Sequence, residues 1–114
     1  MKHLRFLLRA LGRRLLRRPP LLRTTYVEEM PDAVVGGQLF VVGEDGYSWC
    51  AAMVCPCGCG GTLQMSLLSE SHPRWEFTED DDGTPTLYPS IWRQVGCRSH
   101  FFLRKGVVIW CRAV

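Results

Sequence analysis

The chain has 114 residues, 46% of them hydrophobic, with six cysteines and a formal net charge of +3. That is the size of one domain with a small core, and six cysteines are too few for a disulfide scaffold. No run of about 18 apolar residues exists, so no bilayer-spanning helix is expected. Arg5, Arg9, Arg13 and Arg14 break the first apolar stretch, so a cleavable signal is not expected either.

The expected compartment is the reducing cytoplasm, where thiols serve as metal ligands or catalytic groups more often than as disulfides. The charge is uneven. Residues 1–23 carry eight of the fourteen Lys and Arg and no acid, while the rest carries six basic and eleven acidic residues. The chain therefore divides into a basic arm, 1–23, and a mildly acidic domain, 24–114.

Residues 2–18 have the spacing of an amphipathic helix. Leu4, Leu7, Leu8, Leu11 and Leu15 fall on one side, Arg5, Arg9, Arg13 and Arg17 form an i, i+4 stripe, and Pro19-Pro20 ends the pattern. Such an arm suits an anionic membrane surface or a partner. It equally suits simple packing of the leucines on the domain. No aromatic residues interleave the arginines, so nucleic acid ranks last.

After Thr24 the texture is that of strands. "LFVV" (39–42) leads into the turn "GEDG", and "YSWCAAMVC" (47–55) is aromatic and β-compatible. "TLQMSLL" (62–68) alternates, with Leu63, Met65 and Leu67 on one face, and "RWEFTE" (74–79) alternates Trp75 with Phe77. "EDDDG" (79–83) is an acidic turn without the spaced ligands of a calcium loop. "TLYPSI" (86–91) is a short strand whose Pro89 suits an edge or a strand end. "HFFLRKGVVIWC" (100–111) is the clearest hairpin, with Lys105-Gly106 at its tip.

The cysteines group as Cys55, Cys57 and Cys59, then Cys97 and Cys111, with Cys50 apart in an apolar strand as an inert buried thiol. A turn carrying thiols and a distant second set is how zinc sites close a tetrahedron. Gly58, Gly60 and Gly61 let the backbone wrap an ion closely. The C-x-C-x-C spacing is tighter than that of the usual zinc pairs, so some of these thiols could instead be unliganded. The expected fold is a small β-rich (α+β), zinc-stabilised domain with an N-terminal amphipathic basic helix.

A two-residue loop at Lys105-Gly106 pairs Arg104 with Val107 and places His100 opposite Cys111. His100 is then either a zinc ligand with Cys97 and Cys111 or a general base beside a cysteine-only site. Ser90 and Ser99 are the candidate nucleophiles. Ser99 adjoins His100, and neighbouring strand residues face opposite sides, which favours Ser90. A turn serine bonding its own backbone after Pro89 is the plainer account of Ser90. Cys59 or Cys97, activated by His100, is a further nucleophile option, although a thiol on zinc attacks poorly. No H-E-x-x-H motif is present for a zinc peptidase. His72 falls in a loop before a proline and His3 belongs to the arm.

The blocks "CPCGCGGTLQMSL", "RW", "PTLYPSI" and "GCRSHFFLRKGVVIWC" occur in this order between Cys55 and Cys111, within a resemblance that covers residues 39 to 111 or so. In them the chain resembles a small bacterial family whose genes lie beside ubiquitin-like conjugation genes encoding proteins similar to E1, E2 and ubiquitin. The resemblance implies a zinc-containing, deubiquitinase-like peptidase that processes or deconjugates a ubiquitin-like protein at its C-terminal tail. It directs attention to Ser90, Ser99 and His100 as catalytic residues, with serine-type chemistry favoured over zinc-type. On this reading Cys55, Cys57, Cys59, Cys97 and Cys111 hold the metal, and N–H groups of the Gly-rich loop stabilise the oxyanion. The competing expectation is a non-catalytic zinc-stabilised adaptor of the same pathway.

Overall fold

The computed structural model describes residues 21–111. They form eight strands: β1 (Arg23–Val27), β2 (Gln38–Glu44), β3 (Tyr47–Val54), β4 (Thr62–Ser66), β5 (Glu76–Glu79), β6 (Pro85–Trp92), β7 (His100–Arg104) and β8 (Val107–Trp110). The order is β1-β2-β3-β4 in one sheet and β5-β6-β7-β8 in the other. Only β1 and β2 pair in parallel, and every other pairing is antiparallel.

No helix occurs among the described residues, which corrects the expected α+β class to all-β for this part of the chain. The physical reason is periodicity: the apolar residues after position 23 recur at every second position or in short runs, neither of which makes a helical stripe. The helix expected over 2–18, with its membrane or partner contact, lies outside the described residues. Among the described residues no helix is long and apolar enough to cross a membrane.

Alternation drives the assembly. Leu63 and Met65 of β4, Ala51 and Met53 of β3, and Leu39 and Val41 of β2 face Leu87 and Ile91 of β6 and Phe101 and Leu103 of β7 in one buried cluster. The two sheets thus share one core, each burying one face against the other. Phe101 and Leu103 are fully buried, and truncating Phe101 to Ala would cost about 3–5 kcal/mol. Leu22 joins this core, and its N–H bonds the Gly106 carbonyl at 2.8 Å.

Two hairpins have turns that require left-handed residues. Asp45-Gly46 joins β2 to β3 with φ of 52° and 78°, and Lys105-Gly106 joins β7 to β8 with φ of 48° and 77°, the two-residue turn type whose twist matches the strands. The second confirms the expected register: Arg104 pairs with Val107, and the Cys111 N–H bonds the His100 carbonyl at 2.9 Å. Gly43 sits at a register shift in β2, where any side chain would run into the Tyr47 carbonyl.

Pro89 is placed differently from the expectation. It lies within β6, an inner strand between β5 and β7. The register accommodates it: Leu87 pairs with Leu103 and Ile91 with Phe101, so β6 spends two more residues than β7 between these pairs. A bulge is where an inner strand tolerates a residue with no N–H to give. Strand β1 had no sequence signal, because its residues are half-buried or exposed without alternation. The acidic turn is tied down by Asp82, whose Oδ1 accepts the Thr84 N–H at 3.1 Å and the Thr84 hydroxyl at 2.6 Å.

Candidate functional site

The site is built around two consecutive residues. Ser99 precedes β7 and His100 begins it, and their side chains diverge. Phe101 and Leu103 point into the core, so His100 lies on the outer face of the second sheet. Across the ladder Trp92 pairs with His100. Their rings stack, with centroids 4.9 Å apart and planes inclined by 14°.

Ser90 lies two residues before Trp92, on the same outer face, at the end of the bulge. Its Oγ is 2.9 Å from His100 Nε2. Ser90 is further anchored through its carbonyl, which accepts the Trp75 indole N–H at 3.2 Å. His100 is held on its other flank by the Cys111 N–H on its carbonyl. With Nε2 unprotonated, the imidazole accepts the Ser90 hydroxyl proton, which is the geometry of a serine nucleophile and its base. Among the described residues the one side-chain hydrogen-bond partner of His100 is Ser90. Trp92 fixes the ring where a carboxylate does so in a triad.

Ser99 turns the other way. It is 7% exposed, with Oγ 3.1 Å from Cys97 Sγ and 3.6 Å from Cys55 Sγ. It is therefore a partner of thiols, out of line with the imidazole. Its carbonyl accepts the Arg93 N–H at 2.8 Å.

Four thiols meet at this end of the molecule. The Sγ atoms of Cys55, Cys57, Cys59 and Cys97 all lie within 4.8 Å of one another. Cys55 is 3.4 Å from Cys57 and 3.6 Å from Cys97. Sulfurs on a tetrahedral zinc, each at about 2.3 Å, stand about 3.8 Å apart. The group fits one such ion.

The loop is shaped for it: Gly58 and Gly60 alternate with the cysteines at φ of 90° and 82°, a conformation that suits glycine. The Cys59 N–H points at Cys57 Sγ (3.3 Å) and the Gly61 N–H at Cys59 Sγ (3.4 Å). These two amides serve sulfur. Arg93 Nη1 sits 3.4 Å from both Cys59 and Cys97 Sγ, where a cation would offset the charge of metal-bound thiolates. The Ser99 hydroxyl and then the Ser99 N–H, followed by the neighbouring thiols, hold the Cys97 thiol down to about 5.

The remaining sequence candidates separate from these groups. Cys111 stands opposite His100 after β8 and is not one of the four clustered thiols. Cys50 pairs with Val42 and Ser66 inside the first sheet, and burial pushes its thiol up. His72 is an exposed loop residue, and His3 lies outside the described residues. Trp92, Arg93 and Trp75 are site residues that sequence reasoning missed. Only the register opposite His100 could have found Trp92, and no spacing signal marks Arg93 or Trp75.

No curated protein and no solved structure matches the chain. Residues 26–111, which include every element of both groups, match the family BubE, bacterial ubiquitination-like system serine protease. With that match over most of its length and a serine facing a histidine inside it, the chain belongs to the BubE family of bacterial ubiquitination-like systems.

Proposed function

We propose that the protein is a serine-type peptidase that cuts after the C-terminal tail of a bacterial ubiquitin-like protein, maturing a precursor or releasing a conjugate. The observation that carries this reading is the 2.9 Å approach of Ser90 Oγ to His100 Nε2 inside the matched region. Ser90 Oγ attacks the carbonyl carbon of the scissile bond while His100 takes its proton. The C–N bond then breaks, His100 returns the proton to the leaving amine, and an acyl-serine remains. His100 next takes a proton from water, whose oxygen attacks the ester carbonyl. The tail leaves as a carboxylic acid and the Ser90 hydroxyl is restored.

Cys55, Cys57, Cys59 and Cys97 would hold a zinc ion, which would cross-link residues 55–61 to the loop before β7. Four protein thiols leave no ligand position for an attacking water, which favours serine-type over zinc-type chemistry. Such a cross-link would steady Ser99, and through the chain His100, the next residue. The free thiols suit a reducing cytoplasm, where E1-like and E2-like proteins of the same pathway supply the conjugates.

A ubiquitin-like protein carrying a serine-reactive group at its C-terminus tests this directly. Peptide mapping is expected to find the adduct on Ser90 and none on Ser99. An unmodified chain together with uncut precursor would sink the peptidase reading and leave the adaptor. Cleavage that survives Ser90→Ala and Ser99→Ala, but is abolished by chelation without unfolding, would make the reaction zinc-type.

A further inference from the structure

A cleft of about 870 Å³ has Trp75 in its lining. Tyr26, Tyr47, Leu67, Trp75 and Phe77 supply aromatic and aliphatic surface to its lining. The volume is near the top of the usual range for ligand sites, about 300–1,000 Å³, and suits several side chains of a bound chain better than one small molecule. Two features connect it to the Ser90–His100 pair. Trp75 lines the cleft and donates its indole N–H to the Ser90 carbonyl. Glu76, also in the lining, pairs with Tyr88 two residues before Ser90. The cleft and the pair therefore share a wall.

The charge of the lining selects the occupant. Glu28, Glu44, Asp45 and Glu76 are all exposed there, and among the described residues Arg74 is the one basic residue of the lining. Arg74 lies 3.9 Å from Glu76, with both side chains open to water, so it offsets little beyond that one carboxylate. The surplus of carboxylates over aromatic walls fits lysine and arginine, whose apolar stems lie along rings while their charged heads reach acids at the rim.

We propose that this cleft binds a lysine- or arginine-bearing segment of the protein substrate beside the scissile bond. This rests on the peptidase reading and adds to it the chemistry of the segment that the enzyme selects. An acidic segment would meet like charge and a neutral one would leave the rim unpaired, so charge sets specificity as well as encounter rate.

The test uses the full chain carrying Ser90→Ala, so that nothing is cut. The probes are three fluorescein-labelled hexapeptides alternating leucine with lysine, glutamine or glutamate, followed by fluorescence polarisation at low and high salt. The Leu/Lys peptide is expected to bind best and to weaken with salt. Adding Glu28→Gln, Glu44→Gln and Asp45→Asn together is expected to weaken it about tenfold. All three residues are exposed, and an unchanged Tm checks the fold. Arg74→Gln, which frees Glu76, is expected to tighten binding two- to threefold.

Equal binding of the three peptides, or no change in the triple variant, overturns the proposal. So does binding that appears only after the basic residues of 1–23 are neutralised, because the cleft would then serve the chain's own basic segment. Failure here with Ser90-dependent cleavage intact sinks the cleft alone. Charge-selective binding with cleavage that survives Ser90→Ala sinks the dyad alone.

Discussion

The cysteine end of the second sheet and its outer face each present a serine hydroxyl near an ionisable partner, in opposite surroundings. At the cysteine end Ser99 is buried against Cys97 and Cys55, and its hydroxyl lowers a thiol. On the outer face Ser90 is half-buried, meets an imidazole stacked on Trp92, and looks onto a surface from which a substrate can approach. The serine adjacent to His100 in sequence is the one turned away from it. Which serine meets His100 follows side-chain direction across a ladder and not distance along the chain, because successive strand residues face opposite sides.

The comparison breaks most sharply at the proposed nucleophile. Ser90→Ala is expected to lower kcat for a ubiquitin-like precursor by roughly 10³-fold or more, and His100→Ala by a similar factor, with the double variant no worse than either. Zinc content and Tm should stay at the starting values, so retention of even a tenth of the activity in Ser90→Ala would reverse the assignment.

At the other end the largest effect is on stability. Cys55→Ser alters a thiol that is 1% exposed and central to the cluster. It is expected to abolish stoichiometric zinc binding and cost about 3 kcal/mol or more in urea unfolding. Unchanged unfolding in the presence of zinc would remove the cross-link from the account.

Ser99→Ala sharpens the contrast with Ser90. Zinc affinity, read by chelator competition, should weaken about tenfold, as for loss of an outer partner of a ligand. Cleavage at saturating zinc should fall by no more than about threefold, and a loss matching that of Ser90→Ala would merge the two roles.

Hydrogen bonds from Ser99, followed by the neighbouring thiols, lower the Cys97 thiol from 9 to about 5. Its depressed value means that the thiolate persists above that pH and is lost as pH falls through it. In zinc-depleted protein at pH 6.5, iodoacetamide is expected to modify Cys97 before Cys57 and Cys59, with the preference fading below pH 5. Peptide mass spectrometry reads the order, and equal rates at the three cysteines would contradict it.

The smallest effect belongs to Cys111→Ser. Standing outside the clustered thiols, it should leave zinc stoichiometry unchanged and shift stability by no more than about 0.5 kcal/mol.

Most strands were legible in the sequence because alternation reports a single buried face: Leu63 with Met65, and Phe101 with Leu103, announce where β4 and β7 lie. The hairpin at Lys105-Gly106 was legible to the register, since a two-residue turn leaves no freedom in the pairing. That register, with strand alternation, sets Ser99 and His100 on opposite sides. Strand β1 was not legible, because a strand with no buried face carries no period and is placed by its partner β2.

The sequence by itself determined the β-rich character of residues 24–111, the closeness of Cys55, Cys57 and Cys59, and the opposite facing of Ser99 and His100. These depend on local geometry, which residue spacing encodes. Tertiary structure alone decided that Cys97 and not Cys111 completes the group of four thiols, and that a bulge in β6 aims Ser90 at His100. It also decided that Trp92, Arg93 and Trp75 support the two centres. Those choices depend on how β6 pairs with β7 and where the 55–61 loop meets the turn before β7, contacts between residues some 10 to 40 positions apart that no local pattern specifies.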